Sequence, residues 1–243
     1  MSKIRLLKTG AHPAAWNMAL DEAMVHIAAE SKAWTHSLRF YSWTPAAVSI
    51  GYFQSLQEEV DLDACKKYGV DVVRRMTGGG AVFHDAELTY SFITKEYPNG
   101  IHDSYHLICG AIIDGLKTIG IDGQFIPIND LLVGGKKFSG NAQTRKRGVL
   151  LQHGTILLKV DVEKMFELLK VPNEKLKGKL ISDVKQRVAA LDKSFDEVGT
   201  ALEKGFASRF DAKMESGEPT EDELNRCKQL IGKYSSMEWN GRI

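Results

Sequence analysis

Residues 74–85 read Arg-Arg-Met-Thr-Gly-Gly-Gly-Ala-Val-Phe-His-Asp. Two cations precede three glycines, which lack the Cβ that would otherwise keep a ligand away from the backbone. Successive exposed N–H groups can cradle an anion, and Arg74 or Arg75 can add a planar fork of donors. A plain glycine turn between two strands is the alternative, so the neighbouring sequence has to decide between the two.

The elements on either side separate this segment from the common nucleotide-binding loops. Val70 to Val73 is a short apolar run typical of a buried strand, and residues 81–94 alternate as a strand or a hairpin does. The segment therefore joins two strands, whereas Rossmann and P-loop phosphate loops lead from a strand into a helix. Those two nucleotide-binding interpretations lose support.

Hydrophobic periodicity predicts mixed helices and strands over the whole chain. The predicted helices are 14–30, 55–68, 103–120, 161–169, 194–209 and 220–234. The predicted strands are 37–43, 46–53, 70–73, 81–94, 124–133, 137–143 and 149–160, with a tight hairpin at Gly134-Gly135, a basic turn at 144–148 and a loop from Pro172 to Lys185. No linker composition is visible, so the sequence predicts one α+β domain over residues 1–243.

Composition limits the class of protein. A chain of 243 residues buries enough apolar surface to need no disulfide, and its three separated cysteines form no Cys-x-x-Cys pair. A reducing cytoplasm is therefore expected. The N-terminus lacks a secretory apolar segment, and no run approaches the roughly 18 apolar residues of a membrane span. A net charge of +1 gives no general electrostatic argument for binding nucleic acid or membrane.

A second group of polar residues lies farther along the chain. Residues 129–143 read Asn-Asp-Leu-Leu-Val-Gly-Gly-Lys-Lys-Phe-Ser-Gly-Asn-Ala-Gln, and residues 152–155 read Gln-His-Gly-Thr. Lys137, on a strand just after a hairpin, can direct its amine into a cleft. Each residue also has a simpler interpretation: Lys137 as an exposed lysine, His153 as a hydrogen-bonded core histidine, and Asn129-Asp130 as a turn or a cap.

Together these motifs resemble the lipoate–protein ligase family of the biotin/lipoate protein ligase superfamily. The resemblance extends from about residue 15 to the C-terminus, in the family's order and at similar spacings. It rests on Arg75-x-x-Gly78-Gly79-Gly80-Ala81-Val82-Phe83-His84-Asp85, Asn129-Asp130, Lys137-x-Ser139-Gly140-x-Ala142 and His153-Gly154-Thr155. It implies an α+β fold in which helices flank a mixed or antiparallel sheet, as in the catalytic domains of class II synthetases and biotin ligases.

The resemblance also implies a reaction and its cofactors. The family's ligases condense (R)-lipoate, or octanoate, with ATP and Mg²⁺ to give an acyl-adenylate and pyrophosphate. They then pass the acyl group to a lysine of an apo lipoyl domain or a glycine-cleavage H-type carrier protein. The first step brings two anions together, so cations and N–H donors must offset their repulsion.

Individual roles follow from the resemblance, residue by residue. Lys137 would be the catalytic residue, in contact with both the lipoyl carbonyl and the α-phosphate. ATP would be bound by Arg75, Gly80, Ala81, Val82, Phe83, Lys137, Asn129 and Asp130, and Asp130 would also hold the metal ion. The acyl group would be bound by Gly78, Gly79, His84, Lys137, Ser139, Gly140, His153 and Gly154.

Octanoyltransferases of the same superfamily are the main alternative. They move an acyl group from acyl carrier protein to the lipoyl domain without ATP, and they need a cysteine to hold it as a thioester. In the branch most similar to this chain, that cysteine lies in a stretch corresponding to about residues 125–131. Here the stretch reads Phe-Ile-Pro-Ile-Asn-Asp-Leu. The absence of cysteine and the Asn129-Asp130 pair favour the ligase.

Three further expectations concern partners and related classes. Many lipoate ligases continue into a C-terminal accessory domain after a sequence resembling Glu238-Trp239-Asn240, whereas this chain ends at Ile243. We therefore expect a separate small accessory subunit, as in the archaeal-type arrangement. A non-catalytic binding protein would have lost Lys137 or the glycines, and both are present. Biotin ligase is disfavoured because the motifs around Lys137 and His153 follow the lipoate branch.

Overall fold

The computed structural model describes residues 2–32, 36–170 and 177–243. The strands are β1 Ser2–His12, β2 His36–Trp43, β3 Ala47–Ile50, β4 Asp71–Arg74, β5 Val82–His84, β6 Glu87–Thr94, β7 Gly123–Ile126, β8 Asp130–Val133, β9 Lys136–Lys146, β10 Val149–Leu157 and β11 Ala212–Gly217. The helices are α1 Ala14–Glu30, α2 Leu56–Glu59, α3 Leu62–Tyr68, α4 Ile101–Lys117, α5 Val162–Leu168, α6 Lys177–Arg187, α7 Phe195–Arg209, α8 Glu221–Ser235 and α9 Met237–Asn240.

An eight-stranded mixed sheet forms the centre of the molecule, in the order β11-β1-β2-β6-β10-β9-β8-β7. Strand β1 pairs in parallel with β11 and with β2, and α1 supplies the crossover between β1 and β2. All other neighbours in this sheet are antiparallel. The predicted α+β fold, with helices flanking a mixed sheet, is therefore confirmed.

A smaller sheet carries the glycine segment. Its order is β4-β3-β5, with β3 parallel to β4 and antiparallel to β5. Residues 75–81, which we call the glycine loop, connect β4 to β5. The loop thus runs from strand to strand, as the sequence predicts.

Two apolar layers fix the large sheet. One face packs on α4 and α7 through a cluster that includes Phe40, Tyr90 and Phe206. The opposite face packs on α1 and α8 through a second cluster, which includes Met18, Tyr41 and Trp43. At about 25 cal/mol per Å² of apolar surface, these layers provide most of the driving force that holds the site's strands in place.

Several predicted elements differ from the structure. Residues 81–94 form β5 and β6, which belong to different sheets, and residues 55–68 split into α2 and α3. The predicted loop is wrong over residues 177–185, because they lie in α6; residues 172–176 of that loop lie outside the described residues. Strands β1 and β11 and helix α9 were not predicted. Among the described helices, none combines the length and apolar character needed to cross a membrane.

Candidate functional site

A cleft opens between the glycine loop and strands β9 and β10. It holds ≈ 630 Å³ of empty space, part of which is open solvent. The structure brings most of the predicted site residues together here. Those that line it are Arg75, Gly79, Gly80, Ala81, Val82, His84, Asn129, Lys137, Gly140, His153 and Gly154.

Arg75 holds the glycine loop in shape. Its Nη1 donates to Ser49 O at 2.8 Å and to Ser49 Oγ at 2.7 Å. Its Nη2 donates to Gly78 O at 3.0 Å and to Gly80 O at 2.9 Å. Burial lowers the pKa of this guanidinium to about 10, so it stays protonated at neutral pH and places a positive charge beside the cleft.

Arg74, the other candidate anion donor, does not line the cleft. Its side chain is fully buried and donates to backbone carbonyls of Gly51, Tyr52 and Gln54 on one side and of Trp239 and Asn240 on the other. This arginine therefore serves the packing of the chain around the glycine loop.

A buried chain of hydrogen bonds leads from Arg75 to a carboxylate. Ser49 Oγ, which accepts from Arg75, lies 2.6 Å from His84 Nε2, and His84 Nδ1 lies 2.5 Å from Glu87 Oε1. His84 thus links the Ser49 hydroxyl to the Glu87 carboxylate through its two ring nitrogens. Glu87 is the carboxylate at which this hydrogen-bonded chain from Arg75 ends. Trp43 stacks on the His84 ring at 4.1 Å between centroids, which fixes its plane.

Two glycines allow a close backbone approach beside the cleft. A Cβ on Gly51 would lie 2.0 Å from Gly79 O, and one on Gly154 would lie 2.2 Å from Asn141 Oδ1. Gly79 itself has φ of 94°, in the left-handed region that favours glycine. The glycine pattern thus sets the position of the loop relative to β3 and of β10 relative to β9.

Lys137 reaches the cleft from the start of β9. Its Nζ lies 2.7 Å from Asp130 Oδ1, and the two side chains are 43% and 35% exposed. A Cβ on Gly140 would meet the Lys137 Cε and Nζ at 3.2 Å, so glycine there leaves room for the ammonium. The pair places a partly exposed cation at the cleft, with one carboxylate as its ion-pair partner.

His153 occupies the other wall and is part of a second buried network. Its Nε2 lies 2.7 Å from Thr77 Oγ1 in the glycine loop, and its Nδ1 lies 3.2 Å from Asp21 Oδ2. Burial lowers the pKa of His153, although Asp21 opposes this. Burial alone would raise the pKa of Asp21, but hydrogen bonds from His153 and the charge of Arg39 bring it below its ordinary value. His153 therefore joins β10 to the glycine loop as a neutral ring.

Four predicted site residues do not line the cleft. Phe83 follows Val82 on β5 and packs against the cluster around Val48. The Ser139 hydroxyl is buried and accepts from Asn141 Nδ2 at 3.3 Å. Gly78 contributes its carbonyl to Arg75, and Asp130 contacts Lys137. The binding roles of these four residues, like those of the predicted residues that line the cleft, stay predictions.

Sequence reasoning missed several residues that line the cleft. No site role was predicted for Met18, Tyr41, Trp43, Ser49, Thr89 or Asn141, all of which line the cleft. Each lies on a helix or strand whose periodicity identifies it as core. Only tertiary packing distinguishes a core position from one at the edge of a cleft.

The three cysteines lie elsewhere. Cys65, Cys109 and Cys227 are all buried, with exposures of 2%, 0% and 0%, and none lines the cleft. Burial raises the pKa of Cys109 to about 12 and those of Cys65 and Cys227 to about 11. These thiols are protonated at neutral pH and unsuited to nucleophilic attack.

The predicted metal role of Asp130 can be tested against the donor set. Among residues 2–32, 36–170 and 177–243, no group of three or more His, Cys, Asp and Glu side chains could hold a metal ion. A half-exposed carboxylate beside a cationic cleft fits Mg²⁺ that arrives with a nucleotide, since Mg²⁺ commonly takes one or two carboxylates and phosphate oxygens. It does not fit a resident metal cage.

Comparison with known proteins gives a consistent family. The family model described as the lipoyl protein ligase A/B catalytic domain matches residues 13–207. Among curated relatives, octanoyltransferase LipM of Anoxybacillus flavithermus is 38% identical, and the match covers 97% of each chain. That alignment spans 270 positions whereas this chain has 243 residues, so the relative contains segments that this chain lacks.

Solved structures include lipoate ligases with the same fold. One is a bi-partite lipoate protein ligase from an archaeal lipoylation system of Thermoplasma acidophilum, 33% identical with a TM-score of 0.94, covering 100% of this chain and 98% of that chain. Another is a lipoate-protein ligase A bound with ATP, 32% identical with a TM-score of 0.87 and 100% of both chains covered.

Proposed function

Because the chain belongs to the lipoyl protein ligase A/B catalytic domain family, we propose that it attaches a lipoyl or octanoyl group to a lysine of an apo lipoyl domain or an H-type carrier protein. We propose further that it activates the acyl group with ATP and Mg²⁺ as an acyl-adenylate. The observation that carries the second step is that no cysteine lines the cleft, whose walls include Lys137 and residues of the glycine loop.

The charge distribution of the cleft supports this chemistry. Arg75 places a buried positive charge behind the glycine loop, and the Lys137 ammonium lies across from it. A carboxylate attacking the α-phosphorus adds negative charge to an anion, so preorganised cations lower the barrier. Pyrophosphate leaves, and the acyl group is then bonded to a good leaving group.

Transfer needs a position for the acyl carbonyl near the same cation. Lys137 would replace its contact with Asp130 by contacts to the carbonyl and the α-phosphate. The neutral amine of the acceptor lysine attacks the carbonyl, the carbon–oxygen bond to AMP breaks, AMP leaves with the electron pair of that bond, and the amine gives up one proton to the solvent. The apolar part of the cleft, with Met18, Tyr41 and Trp43 on its wall, would bind the acyl chain.

A second candidate is ATP-independent octanoyl transfer from octanoyl acyl carrier protein to a lipoyl domain. The curated relative named as an octanoyltransferase favours it, and that comparison supports octanoyl transfer better than ATP-dependent ligation. That chemistry requires a nucleophile that takes the acyl group as a thioester. Since every cysteine of this chain is described and buried away from the cleft, we place ligation first.

We also propose a cellular location and a partner for this protein. A cytoplasmic location fits three reduced, unpaired cysteines. A single catalytic domain over residues 1–243 would work with a separate accessory subunit, and the bi-partite ligase of Thermoplasma acidophilum is the relative that motivates this. We expect the isolated chain to adenylate lipoate poorly and to transfer readily from preformed lipoyl-adenylate.

One experiment separates the two candidates. The purified chain is incubated with an apo lipoyl domain and three donors in turn: lipoate or octanoate with Mg-ATP, preformed lipoyl-adenylate, and octanoyl acyl carrier protein without ATP. The mass of the lipoyl domain is the measurement. A mass gain from the first or second donor supports ligation, and the Lys137→Ala chain should lose it while Lys136→Ala keeps it.

Acyl transfer from the third donor is the result that would contradict ligation. A mass gain from octanoyl acyl carrier protein in the absence of ATP, with no gain from lipoyl-adenylate, would establish the transferase instead. Robust ATP-dependent ligation by the chain alone would remove the accessory subunit from the proposal while leaving the ligase activity in place.

A further inference from the structure

The C-terminal residues 237–242, which we call the C-terminal clasp, bind the residue that precedes the glycine loop. Asn240 Oδ1 accepts from the Arg74 backbone N at 2.7 Å, and Trp239 Nε1 donates to Arg74 O at 3.0 Å. The Arg74 side chain returns hydrogen bonds to Trp239 O and to Asn240 O, the shortest at 2.7 Å. Both the backbone and the side chain of Arg74 are therefore held by the clasp.

The same guanidinium holds a turn on the other side. Arg74 Nη1 donates to the carbonyls of Gly51 at 3.1 Å, Tyr52 at 3.1 Å and Gln54 at 2.6 Å. Arg242 adds a second contact from the clasp: its guanidinium lies 3.6 Å from the centre of the Tyr52 ring, and its Nη2 donates to Tyr52 O at 3.3 Å. The clasp thus grips residues 51–54 through two arginines.

This turn lies directly against the glycine loop. Tyr52 N donates to Thr77 O at 2.8 Å, and Gly51 approaches Gly79 O so closely that no Cβ fits between them. Thr77 then reaches His153 on the opposite wall of the cleft. Contacts therefore run without a gap from Asn240 through Arg74 and the turn to both sides of the cleft.

We infer that the C-terminal clasp positions the glycine loop for the reaction, with Asn240, Trp239 and Arg242 as positioning residues that touch no substrate. None of the three lines the cleft. The inference rests on the proposed function for its kinetic consequence, but its structural consequence is independent of any substrate. Removing a clasp contact loosens the turn at residues 51–54. The glycine loop then loses the packing of Gly51 against Gly79 O that holds it in position.

The imidazole of His153 is a suitable reporter, because it lies at the far end of this chain of contacts and outside the clasp. NMR spectra of ¹⁵N-labelled histidine are recorded for the native chain and for the Asn240→Ala variant. The His153→Gln variant identifies the His153 resonance. Met237→Ala is the matched control, since Met237 belongs to the same segment and is 65% exposed. We expect the His153 resonance to shift or broaden in Asn240→Ala and to stay unchanged in Met237→Ala.

Kinetics give the second readout. We expect KM for lipoate and ATP to rise about tenfold in Asn240→Ala, comparable to the loss of one or two hydrogen bonds, with KM for the lipoyl domain unchanged. Asn240→Asp keeps the acceptor for the Arg74 N–H and should recover part of the loss. Arg242 is exposed, so Arg242→Ala should fold. It tests the same link between the clasp and the glycine loop if Asn240→Ala does not fold.

The outcomes distinguish this inference from the proposed function. An altered His153 resonance in a chain that shows no acyl transfer from any donor would keep the clasp and reject the function. Normal His153 resonances and unchanged KM values in folded Asn240→Ala and Arg242→Ala chains would overturn the clasp, whatever reaction the site performs.

Discussion

The Cα of Gly51 faces the carbonyl oxygen of Gly79 so closely that a methyl group on residue 51 would lie 2.0 Å from that oxygen. Gly51→Ala should therefore displace the glycine loop and lower the free energy of unfolding by about 3 kcal/mol, at the upper end of overpacking costs. Acyl transfer should fall with it. Gly232→Ala on α8 is the control, because nothing lies within 4 Å of its Cβ, and it should stabilise the chain by about 1 kcal/mol. Equal unfolding free energies for the two variants would contradict this packing.

Lys137 is the side chain on which the proposed chemistry depends. Lys137→Ala should lower the rate of acyl transfer by about 10²–10³-fold, the usual effect of removing a group that stabilises developing charge. Its melting temperature should hardly change, since the side chain is 43% exposed. Lys136→Ala changes the neighbouring exposed lysine and should leave the rate unaltered. A folded Lys137→Ala chain with full activity would remove this assignment.

Arg75→Lys tests whether charge alone is enough behind the glycine loop. Lysine keeps the charge but cannot donate in a planar fork to Ser49, Gly78 and Gly80 together. We expect a loss of about 2 kcal/mol in the free energy of unfolding, from two or so hydrogen bonds, and a higher KM for ATP. Urea unfolding and steady-state kinetics measure these two effects. Arg147→Lys, at an exposed turn, should change neither quantity.

The cysteines give a prediction about mechanism. With a pKa of about 11 or higher, caused by burial, each thiol is ionised at neutral pH to about one part in 10⁴ or less. Cys65→Ala, Cys109→Ala and Cys227→Ala should each keep acyl transfer activity, and iodoacetamide should inactivate the native chain no faster than it unfolds. If one of these variants were folded and inactive, a covalent thioester would become the better explanation.

Stability should decrease between pH 7.5 and pH 5.5. Burial lowers the pKa of His153 below its ordinary value of 6.5, and the pKa values of His12, His26 and His36 are lowered as well. Below pH 6.5 the unfolded chain therefore binds protons that the folded chain does not, and the free energy of unfolding falls as the pH falls. The slope is at most about 1.4 kcal/mol per pH unit for each such histidine.

His153→Gln isolates the contribution of the cleft to that pH dependence. Urea unfolding at the two pH values should show a smaller difference for His153→Gln than for the native chain. His102→Gln, at an exposed position of α4, should show the native difference. Asp21 acts in a lower range: since its pKa is lowered, the stability it contributes is present above about pH 4 and is lost as the pH falls further. An unchanged slope for His153→Gln would contradict a neutral buried ring.

Much of the fold is predictable because its elements are strongly periodic. Helices α1 and α4 and strands β2 and β10 lie within a few residues of their predicted bounds, and the Gly134-Gly135 hairpin turn has both glycines at positive φ. Strand β11 is the opposite case. It is short, polar and half-exposed at the sheet edge, where pairing with β1 defines it and no alternation of apolar residues marks it.

Many of the residues that line the cleft could be predicted from the sequence, but the hydrogen bonds that hold them in place could not. Motif resemblance identified Arg75, Lys137 and His153, and the structure brings these residues to one cleft. The resemblance could not show that Arg75 donates its hydrogen bonds to Ser49 and to two carbonyls of the glycine loop. Those contacts depend on how the two sheets pack together. Asp21 and Glu87, which complete the two buried networks, lie in α1 and β6 with no sequence signal of their own.

Within the described part of the chain, the Arg74 guanidinium donates only to main-chain oxygen atoms. These belong to five residues in two segments of the chain: Gly51, Tyr52, Gln54, Trp239 and Asn240. Every amino acid offers such an oxygen, so these particular bonds do not depend on which side chains the partners carry. Over evolutionary time, Tyr52 and Gln54 can be exchanged with little effect on this grip, whereas Arg74 has no substitute that donates in five directions. Position 74 should therefore tolerate fewer substitutions than a position whose hydrogen bonds require one particular partner side chain.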